Sequence, residues 1–268
     1  MNISDQQIRL FQEKVLSFYT QHGRDLPWRK TTDPYKILLS EMMLQQTQVS
    51  RVMEYYMQWI ERWPTVESLA EAPWKDVLKA WMGLGYNRRA VHVHQAAQTI
   101  ANTFAGDILQ AMEHYEKVPG IGLYTSRAVR IFASNADIVT VDTNIRRIFI
   151  HEFSLPENIS SKELWSLAEQ CLPKDQSRTW HNALMDYGAL LMTSRKTGIR
   201  PLTMQSKFEG SDRQIRGMIL RQLLQCSSSL EELKMITKIN TSRLQKILEK
   251  MIQEGLISLS NNRYSIQE

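Results

Sequence analysis

The chain has 268 residues, 43% of them hydrophobic, which is enough to bury one large core or two smaller ones. Its 33 Lys and Arg against 28 Asp and Glu give a net charge of +5, a mild excess compatible with a polyanionic partner and with many ordinary cytosolic proteins. The two cysteines, Cys171 and Cys226, argue against a disulfide framework or a cysteine-bound metal and favour a reducing compartment. We expect neither a secretory segment nor a membrane span, and therefore a cytoplasmic protein, nucleoid-associated in a prokaryote.

Hydrophobic residues recur at helical spacing along most of the chain, which predicts an all-α fold. The first such pattern covers residues 4–22 and ends at Gly23. A second begins after Asp33, a residue type that caps helices, with Pro34 at the first helical position, where no N–H is needed. Further helices are predicted at 47–63, 65–72, 74–81 and 88–105.

The helix after Asp33 carries one residue that does not fit its apolar face. Glu41 shares that face with Ile37, Leu38 and Leu44, at the i−4, i−3 and i+3 spacings. A carboxyl group buried there without a cationic partner has a raised pKa, which a general acid needs near neutral pH. Taken alone, the spacing also allows a glutamate at the helix edge that reaches water.

Two loops that contain glycine follow. Gly83-Leu-Gly-Tyr-Asn-Arg-Arg-Ala90 places Tyr86 among glycines and arginines, which suits stacking on nucleic-acid bases; the alternative is a helix C-cap whose tyrosine packs against the fold. Val118-Pro-Gly-Ile-Gly-Leu-Tyr-Thr-Ser126 predicts a hairpin between a helix from about 111 and a second helix from about 123. Gly120 and Gly122 would let backbone N–H groups approach a phosphate at the positive end of the second helix, although Pro-Gly-x-Gly also occurs in ordinary loops.

Two acidic residues belong to later helices. Asp142 ends a β-branched run that starts at Val139 and precedes a helical pattern, which makes it a natural N-cap. A carboxylate at a helix N-terminus is expected to stay ionised, as stabilisation of a sugar cation requires, but a cap alone explains the residue equally well. Asp186 lies in the helical stretch 182–190, where a solvent-facing position is the alternative to a functional one.

From Ser211 the pattern changes to three short helices, about 212–225, 229–236 and 241–254, and then a hairpin with an Asn261-Asn262 turn. This order resembles a winged helix, whose third helix, with Arg243 and Lys246, would contact DNA. Winged helices also bind proteins, so either partner is compatible with this tail.

Several of these stretches resemble those of one enzyme family. The chain resembles MutY-type adenine DNA glycosylases of the helix-hairpin-helix (endonuclease III-like) superfamily over about residues 7 to 195. The similar stretches are Leu26-Pro-Trp-Arg29, Ser40-Glu-Met-Met-Leu-Gln-Gln-Thr47, the hairpin, and the segments around Asp142 and Asp186. The resemblance implies a helix-hairpin-helix glycosylase domain over 1–205, and the change of pattern after it predicts a separate winged-helix-like module over 206–268. It further implies two lobes with a cleft between them, one of about 25–135 and the other of 1–24 plus 136–205.

The resemblance also implies roles for individual residues. Glu41 would protonate adenine, and Asp142 would stabilise the oxocarbenium-like sugar, a division of labour between two carboxyl groups that glycosidases share. Gln46 would wedge into the DNA stack and Tyr86 would insert beside the mismatch. Bifunctional relatives carry a Schiff-base lysine where this chain has Tyr124, so the reaction should stop at base removal. The implied base pocket consists of Trp28, Arg29, Leu44, Tyr124, Asn144 and Asp186.

MutY-type enzymes follow the helix matching 181–192 with four cysteines that hold a [4Fe–4S] cluster. Those positions fall on apolar residues here, namely Met192, Ile199, Leu202 and Phe208. Because the cluster requires thiolate ligands, we expect it to be absent, and we expect no other cofactor. The shared apolar character predicts a small buried plug of these four side chains; a disordered linker is the alternative.

The sequence therefore predicts a monofunctional, monomeric DNA glycosylase of base excision repair, acting on double-stranded DNA with a mismatch or lesion. Its substrate would be a flipped adenine opposite 8-oxoguanine or G. A mismatch thymine or uracil glycosylase on the same scaffold is one rival, since Tyr124 occurs in both kinds of relative, but Gln46 and Tyr86 favour adenine. A non-catalytic DNA-binding regulator is another, and the presence of both Glu41 and Asp142 argues against it. The identity of the opposite base is left open.

Overall fold

A computed structural model describes residues 3–200 and 207–267 of the chain. Within these residues the fold is helical, with a single two-stranded antiparallel sheet. The helices are α1 (Asp5–His22), α2 (Pro34–Leu44), α3 (Val49–Arg62), α4 (Val66–Ala70), α5 (Trp74–Trp81), α6 (Arg88–Phe104), α7 (Ile108–Glu113), α8 (Leu123–Ser134), α9 (Thr143–Glu152), α10 (Ser161–Gln170), α11 (Ser177–Leu190), α12 (Ser194–Thr197), α13 (Asp212–Leu223), α14 (Leu230–Thr237) and α15 (Thr241–Gln253). The strands are β1 (Ile257–Ser260) and β2 (Arg263–Ile266), and 3-10 turns occupy Pro27–Arg29 and Tyr115–Lys117.

Local side-chain chemistry sets several helix boundaries. Asp33 caps α2 as predicted, because its Oδ1 accepts hydrogen bonds from the backbone N–H groups of Tyr35 (2.9 Å) and Lys36 (3.4 Å). Helix α7 is a correction: it begins at Ile108 rather than near 111 and is followed by the 3-10 turn before the hairpin. Helix α10 was not predicted, although Ser160 and Glu163 form a capping box at its start.

The chain folds into two compact units. Unit 1 comprises Met1–Leu38 and Gly122–Met204, and unit 2 comprises Leu39–Ile121 and Gln205–Glu268. These borders differ from the predicted lobe boundaries near 25 and 135, and the C-terminal residues belong to unit 2 by compactness. The division into a glycosylase domain and a separate module stays a prediction.

The core of unit 1 is formed by α1, α9, α10 and α11. Phe11 of α1 lies against Phe149 of α9 and Trp180 of α11, with ring centroids 5.7 and 5.5 Å apart. Full burial of an apolar side chain of this size contributes about 1.5–3 kcal/mol. Because Phe149 anchors α9 in this core, the start of α9, where Asp142 lies, has a fixed position within the unit.

In unit 2, α4 and α5 pack against α6, and α3 packs against α5. Trp59 of α3 meets Trp81 of α5 edge to face, with centroids 5.5 Å apart, and both rings are buried. The loop of residues 83–87 connects α5 to α6. Both of these helices are anchored in the core.

The C-terminal residues form three helices and a hairpin in the predicted order. Ser229 and Glu232 make the expected capping box at α14. Asn261 and Asn262 form the turn between β1 and β2, with φ of 50° and 59°, as a two-residue hairpin turn requires. An isolated bridge between Ser228 and Tyr264 adds a further backbone pairing to the hairpin. The assignment of this module as a winged helix stays a prediction.

The predicted hydrophobic plug is wrong as a group of four buried side chains. Ile199 is buried and Met192 is half-buried, but Phe208 is 61% exposed, and Leu202 lies outside the described residues. The reason is topological: Met192 and Ile199 belong to unit 1, whereas Phe208 leads into α13 in unit 2.

In the part of the chain that the structure covers, no helix has the length and hydropathy to cross a bilayer.

Candidate active site and DNA-binding loops

Glu41 lies in the last turn of α2, within unit 2. Its neighbours in sequence, Ser40 and Met42, are each 1% exposed, while Glu41 itself is half-buried. Ile37 and Leu38, predicted to share its face, are buried, and Leu44 is half-buried. The structure therefore places a half-buried carboxyl group on a helix whose adjacent positions are buried.

Arg89 fixes the end of the helix that carries Glu41. Its Nη1 donates to the carbonyl oxygens of Met42 (3.0 Å) and Met43 (2.9 Å), two acceptors at the C-terminal end of α2. Its Nη2 donates to Thr47 Oγ1 (2.8 Å) and to the carbonyl oxygens of Leu84 (3.1 Å) and Gly85 (3.0 Å). Burial lowers the pKa of Arg89 to about 10. One buried guanidinium thus ties α2 and the 44–48 turn to the 83–87 loop.

Gln46 and Tyr86, the two residues expected to enter the DNA stack, both have a left-handed backbone. Their φ angles are 55° and 48°, values that cost a residue with a side chain about 1–2 kcal/mol. Other residues with positive φ, such as Ala105 and Asn135, end helices, where that conformation is common. Tyr86 has no such role, whereas Gln46 follows the end of α2 by two residues. Backbone strain of this kind is enriched at functional sites.

The position of Tyr86 bears on the alternative that it closes a helix. Helix α5 ends at Trp81 with Met82 as its C-cap, and Asn87 is the N-cap of α6. Tyr86 is half-buried and lies between these two helices. It therefore belongs to the loop and caps neither helix.

The 118–126 segment forms the predicted turn. Val118 and Ile121 are 3% and 8% exposed, so the apolar residues that flank the glycines are buried as expected. Gly120 has a φ of +75°, and a Cβ atom there would lie 2.4 Å from His92 Cβ, so no other residue fits without displacement. Gly122 is the exposed N-cap of α8. The turn thus ends at the positive end of a helix, where an anion is attracted.

Asp142, in unit 1, is the N-cap of α9 as predicted. Its Oδ1 accepts a hydrogen bond from Ile145 N (2.7 Å), and its Oδ2 accepts one from Asn144 Nδ2 (2.9 Å). Burial raises the pKa of Asp142 and outweighs the opposing effects of these hydrogen bonds and of Arg147. The predicted position at a helix N-terminus is thus correct. The helix terminus favours the ionised carboxylate, but burial disfavours it more strongly.

Asn144 connects Asp142 to its surroundings. The Oδ1 of Asn144 accepts from Arg147 Nη2 at 2.7 Å, and Arg147 Nε donates to the carbonyl oxygen of Met192. Gly188 of α11 faces this segment, where a Cβ atom would lie 3.3 Å from Asn144 Cβ. Close approach of α11 to α9 therefore helps to hold Asn144, and through it Asp142.

Asp186 is fully buried, which rules out the solvent-facing alternative. Its carboxylate accepts two hydrogen bonds from Arg29, at 2.7 and 2.8 Å, and two from Arg24, at 2.7 and 2.6 Å. Burial acts to raise the pKa of Asp186, but these bonds overcome it and the pKa is lowered. Asp186 and Arg29 therefore form an ion pair that joins α11 to the chain before α2, and their predicted place in a base pocket remains untested. Trp28 is buried and Tyr124 is half-buried.

The two basic residues predicted to reach DNA from α15 differ in their surroundings. Arg243 donates to Asp212 Oδ1 from Nε (3.0 Å) and Nη2 (2.6 Å), and also to the carbonyl oxygen of Gly210. Much of its charge is therefore compensated within the module. Lys246 is exposed.

The side chains of the described residues do not fit an iron–sulfur cluster. No group of three or more His, Cys, Asp or Glu is arranged there to hold a metal ion. Burial raises the pKa of the Cys171 thiol to about 12, and Cys226 is exposed in the other unit. A cluster of four thiolates cannot be assembled from these two residues.

Comparison with known proteins identifies the family. A sequence profile described as "HhH-GPD superfamily base excision DNA repair protein" matches residues 39–174, just over half of the chain. The chain belongs to this superfamily. The HhH-GPD match includes Glu41, both glycine loops and Asp142.

Relatives of assigned activity extend the HhH-GPD match beyond that range. An adenine DNA glycosylase of Mycolicibacterium smegmatis is 34% identical over 267 residues, which covers 91% of this chain and 91% of that protein. One of Mycobacterium tuberculosis is 32% identical and covers 91% of this chain and 89% of its own length. The human adenine DNA glycosylase is 32% identical over 83% of this chain, which corresponds to 42% of the human protein.

Solved structures of the HhH-GPD fold agree with this assignment. A thermostable thymine-DNA glycosylase superposes with a TM-score of 0.68 at 30% identity and covers 72% of this chain and 91% of its own. Endonuclease III in a non-covalent complex with DNA gives a TM-score of 0.64 at 17% identity, over 75% of this chain and 91% of its own. The all-α class and the helix-hairpin-helix glycosylase fold are confirmed.

Sequence reasoning missed Arg89 and the pairing of Arg24 with Asp186. Arg89 lies on the face of α6 that carries Val93 and Ala96, both buried. A charged residue on an apolar face was the signal that singled out Glu41, and the same signal marks Arg89. No sequence pattern indicates the pair formed by Arg24 and Asp186, because its members are 162 residues apart.

Proposed function

We propose that this protein is a monofunctional DNA glycosylase of base excision repair that removes mispaired adenine from double-stranded DNA. The observation that carries the proposal is 34% identity to an adenine DNA glycosylase over 91% of both chains. The presence of a half-buried Glu41 and a helix-capping Asp142 in the matched range supports a catalytic protein rather than a silent binder.

Glu41 acts as the general acid. It donates a proton to N7 of the flipped adenine. The protonated base then takes the electron pair of the breaking N-glycosidic bond and leaves as a neutral molecule. Ile37 and Leu38, one turn before it on the same helix, are buried, so this end of α2 is held within the fold. Water then adds to the sugar carbon and loses a proton to solvent, which leaves an abasic site.

Asp142 stabilises the sugar cation that forms as the bond breaks. Hydrogen bonds from Ile145 N and Asn144 hold the carboxylate in one orientation, so little reorganisation is needed during the reaction. Because the group is partly desolvated, its attraction for a nearby cation is stronger than in water. Tyr124 supplies no amine for an imine with the sugar, so the DNA strand is not cut by that route.

The DNA duplex is held by the loops of the fold. Gly120 and Gly122 let the backbone approach a phosphate, and Gln46 and Tyr86 enter the base stack from strained loop positions. Stacking of an aromatic ring on a base contributes about 1–3 kcal/mol. These contacts offset the few kcal/mol that flipping a base out of the helix costs. The protein acts as a monomer, and no iron–sulfur cluster takes part.

The second candidate is a mismatch thymine or uracil glycosylase, favoured by the 30% identity to the thermostable thymine-DNA glycosylase. Labelled duplexes with A, T or U opposite G or 8-oxoguanine separate the two candidates. Release of adenine alone supports the proposal. Release of thymine or uracil alone supports the second candidate, and binding without release of any base contradicts both.

A further inference from the structure

The C-terminal module makes direct contact with one of the two loop residues proposed to enter DNA. Arg213, in the first turn of α13, donates a hydrogen bond from Nη1 to the hydroxyl oxygen of Tyr86 at 2.7 Å. Its guanidinium carbon also lies 5.2 Å from the centre of the Tyr86 ring. The two residues are 127 positions apart, so the sequence does not predict this contact.

Tyr86 is therefore held by two arginines from different parts of unit 2. Arg89, which ties the loop to α2, has its guanidinium carbon 5.7 Å from the same ring. Arg89 holds the backbone of the loop, through the carbonyl oxygens of Leu84 and Gly85. Arg213 holds the hydroxyl end of the side chain. Because Tyr86 has an unfavourable φ of 48°, its conformation depends on such contacts.

The module also acts electrostatically on a residue that supports the hairpin. Arg216, one turn after Arg213, forms an ion pair with Glu254, the residue that follows α15. Glu254 is near enough to His92 to raise its pKa, against the larger lowering effects of burial and Arg88. His92 is the residue that lies directly beneath Gly120. The module thus contacts Tyr86 directly and lies within electrostatic range of the residue that packs against Gly120.

The contacts of α13 suit this role. Arg213 of α13 donates to Tyr86 in the loop, and Arg243 of α15 is paired with Asp212. The guanidinium group of Arg213 combines a planar surface with several donors, so it can hold a tyrosine hydroxyl and lie along the ring at the same time.

We propose that Arg213 is a positioning residue for DNA recognition, which holds Tyr86 in the conformation that stacks on a base and so makes the C-terminal module part of mismatch reading. This inference rests on the proposed function, since it assumes that Tyr86 enters DNA. It assigns the module a role in presenting the loop, and it requires no base contact from α15.

The test compares Arg213→Ala with Arg221→Ala, which removes an exposed arginine from the same helix and so changes the net charge equally. Both variants are made in the wild-type and in the Tyr86→Ala background. Fluorescence anisotropy measures affinity for a duplex with a non-cleavable adenine analogue opposite 8-oxoguanine and for a fully matched duplex. The ratio of the two affinities is the mismatch preference, and thermal melting checks the fold of each variant.

We expect Arg213→Ala to reduce the mismatch preference about tenfold, the lower end for loss of a hydrogen bond to a charged group, with little change from Arg221→Ala. In the Tyr86→Ala background, Arg213→Ala should change the preference less than about twofold, because the group that it positions is gone. If Arg213→Ala does not fold, Arg213→Lys and Tyr86→Phe replace it. Each should lower the preference alone, and the two together should lower it no further.

Equal effects of Arg213→Ala and Arg221→Ala would overturn the inference, as would an effect of Arg213→Ala that persists without Tyr86. Tighter mismatch binding by Arg213→Ala would also overturn it, since Arg213 would then mask Tyr86. Base release is measured separately on cleavable duplexes. If adenine is released normally but the effect of Arg213→Ala does not depend on Tyr86, only the inference is refuted. If that effect depends on Tyr86 but no adenine is released, only the proposed function is refuted.

Discussion

Replacement of Asp142 by asparagine should separate the contribution of this residue to the fold from its contribution to chemistry. Asparagine keeps a side-chain oxygen that can accept the hydrogen bond from Ile145 N, now 2.7 Å long, and it is as good an N-cap as aspartate. Alanine removes that acceptor, which costs about 0.5–2 kcal/mol of stability. We therefore expect Asp142→Ala to be less stable than Asp142→Asn by about 1 kcal/mol.

The stability of the wild type relative to Asp142→Asn should depend on pH. Because burial raises the pKa of Asp142 above its ordinary value of 3.8, the unfolded chain releases the proton at a lower pH than the folded chain does. Below 3.8 both states are protonated and the linkage has no effect. As pH rises through the raised pKa, the free energy of unfolding of the wild type falls, by about 1.4 kcal/mol for each pKa unit.

Urea denaturation of the wild type and Asp142→Asn at pH about 4 and about 7.5 measures this difference. Asp142→Asn should gain stability relative to the wild type at the higher pH, while base release falls about 100- to 1,000-fold, as for loss of one electrostatic stabiliser. Duplex affinity should be retained. A wild type that gains stability over Asp142→Asn with rising pH would show that Asp142 is an ordinary ionised cap, and the reasoning from burial would be refuted.

Three further outcomes are expected. Glu41→Gln should abolish base release and leave duplex affinity within about twofold, because phosphate contacts dominate affinity; Glu54→Gln, on the exposed face of α3, is the control, and turnover by Glu41→Gln would exclude the acid role. Asp186→Asn should lower the free energy of unfolding by about 3–5 kcal/mol, because it leaves the cation of Arg29 buried without its partner. Since the pKa of Asp186 is lowered, the stability that it contributes should be lost as pH falls, which acid titration of both proteins would reveal. Metal analysis of the purified protein should find no stoichiometric iron, and iron at four atoms per chain would contradict the ligand argument.

Features that depend on neighbouring residues could be predicted from the sequence, and features that depend on distant residues could not. The cap at Asp33, the buried flanks of the hairpin at Val118 and Ile121, and the cap at Asp142 follow from side chains within a few positions of one another. The raised pKa of Asp142 does not follow from its place at a helix start, because burial arises from the packing around it.

The plug predicted for 192–208 shows a different limit of sequence reasoning. Four apolar residues in one stretch suggest a common core, yet Phe208 is exposed and belongs to a different unit from Met192. Hydrophobicity predicts that a side chain is buried more often than not, but it does not specify against what. Which unit each residue joins decides the question, and that depends on packing with distant parts of the chain.

Charged residues on apolar helix faces need partners for their charge or their hydrogen bonds. Asp186 meets two arginines and serves as a structural ion pair, and Arg89 meets five backbone and side-chain oxygens and holds two loops together. In both cases most hydrogen bonds of the charged group are made within the fold, so few are left for a ligand. Glu41 has the same sequence signature, and its half-buried carboxyl group lies at the end of the helix that Arg89 secures. A charged residue on an apolar face therefore indicates a structural contact first, and the Glu41→Gln variant tests whether Glu41 has a catalytic role as well.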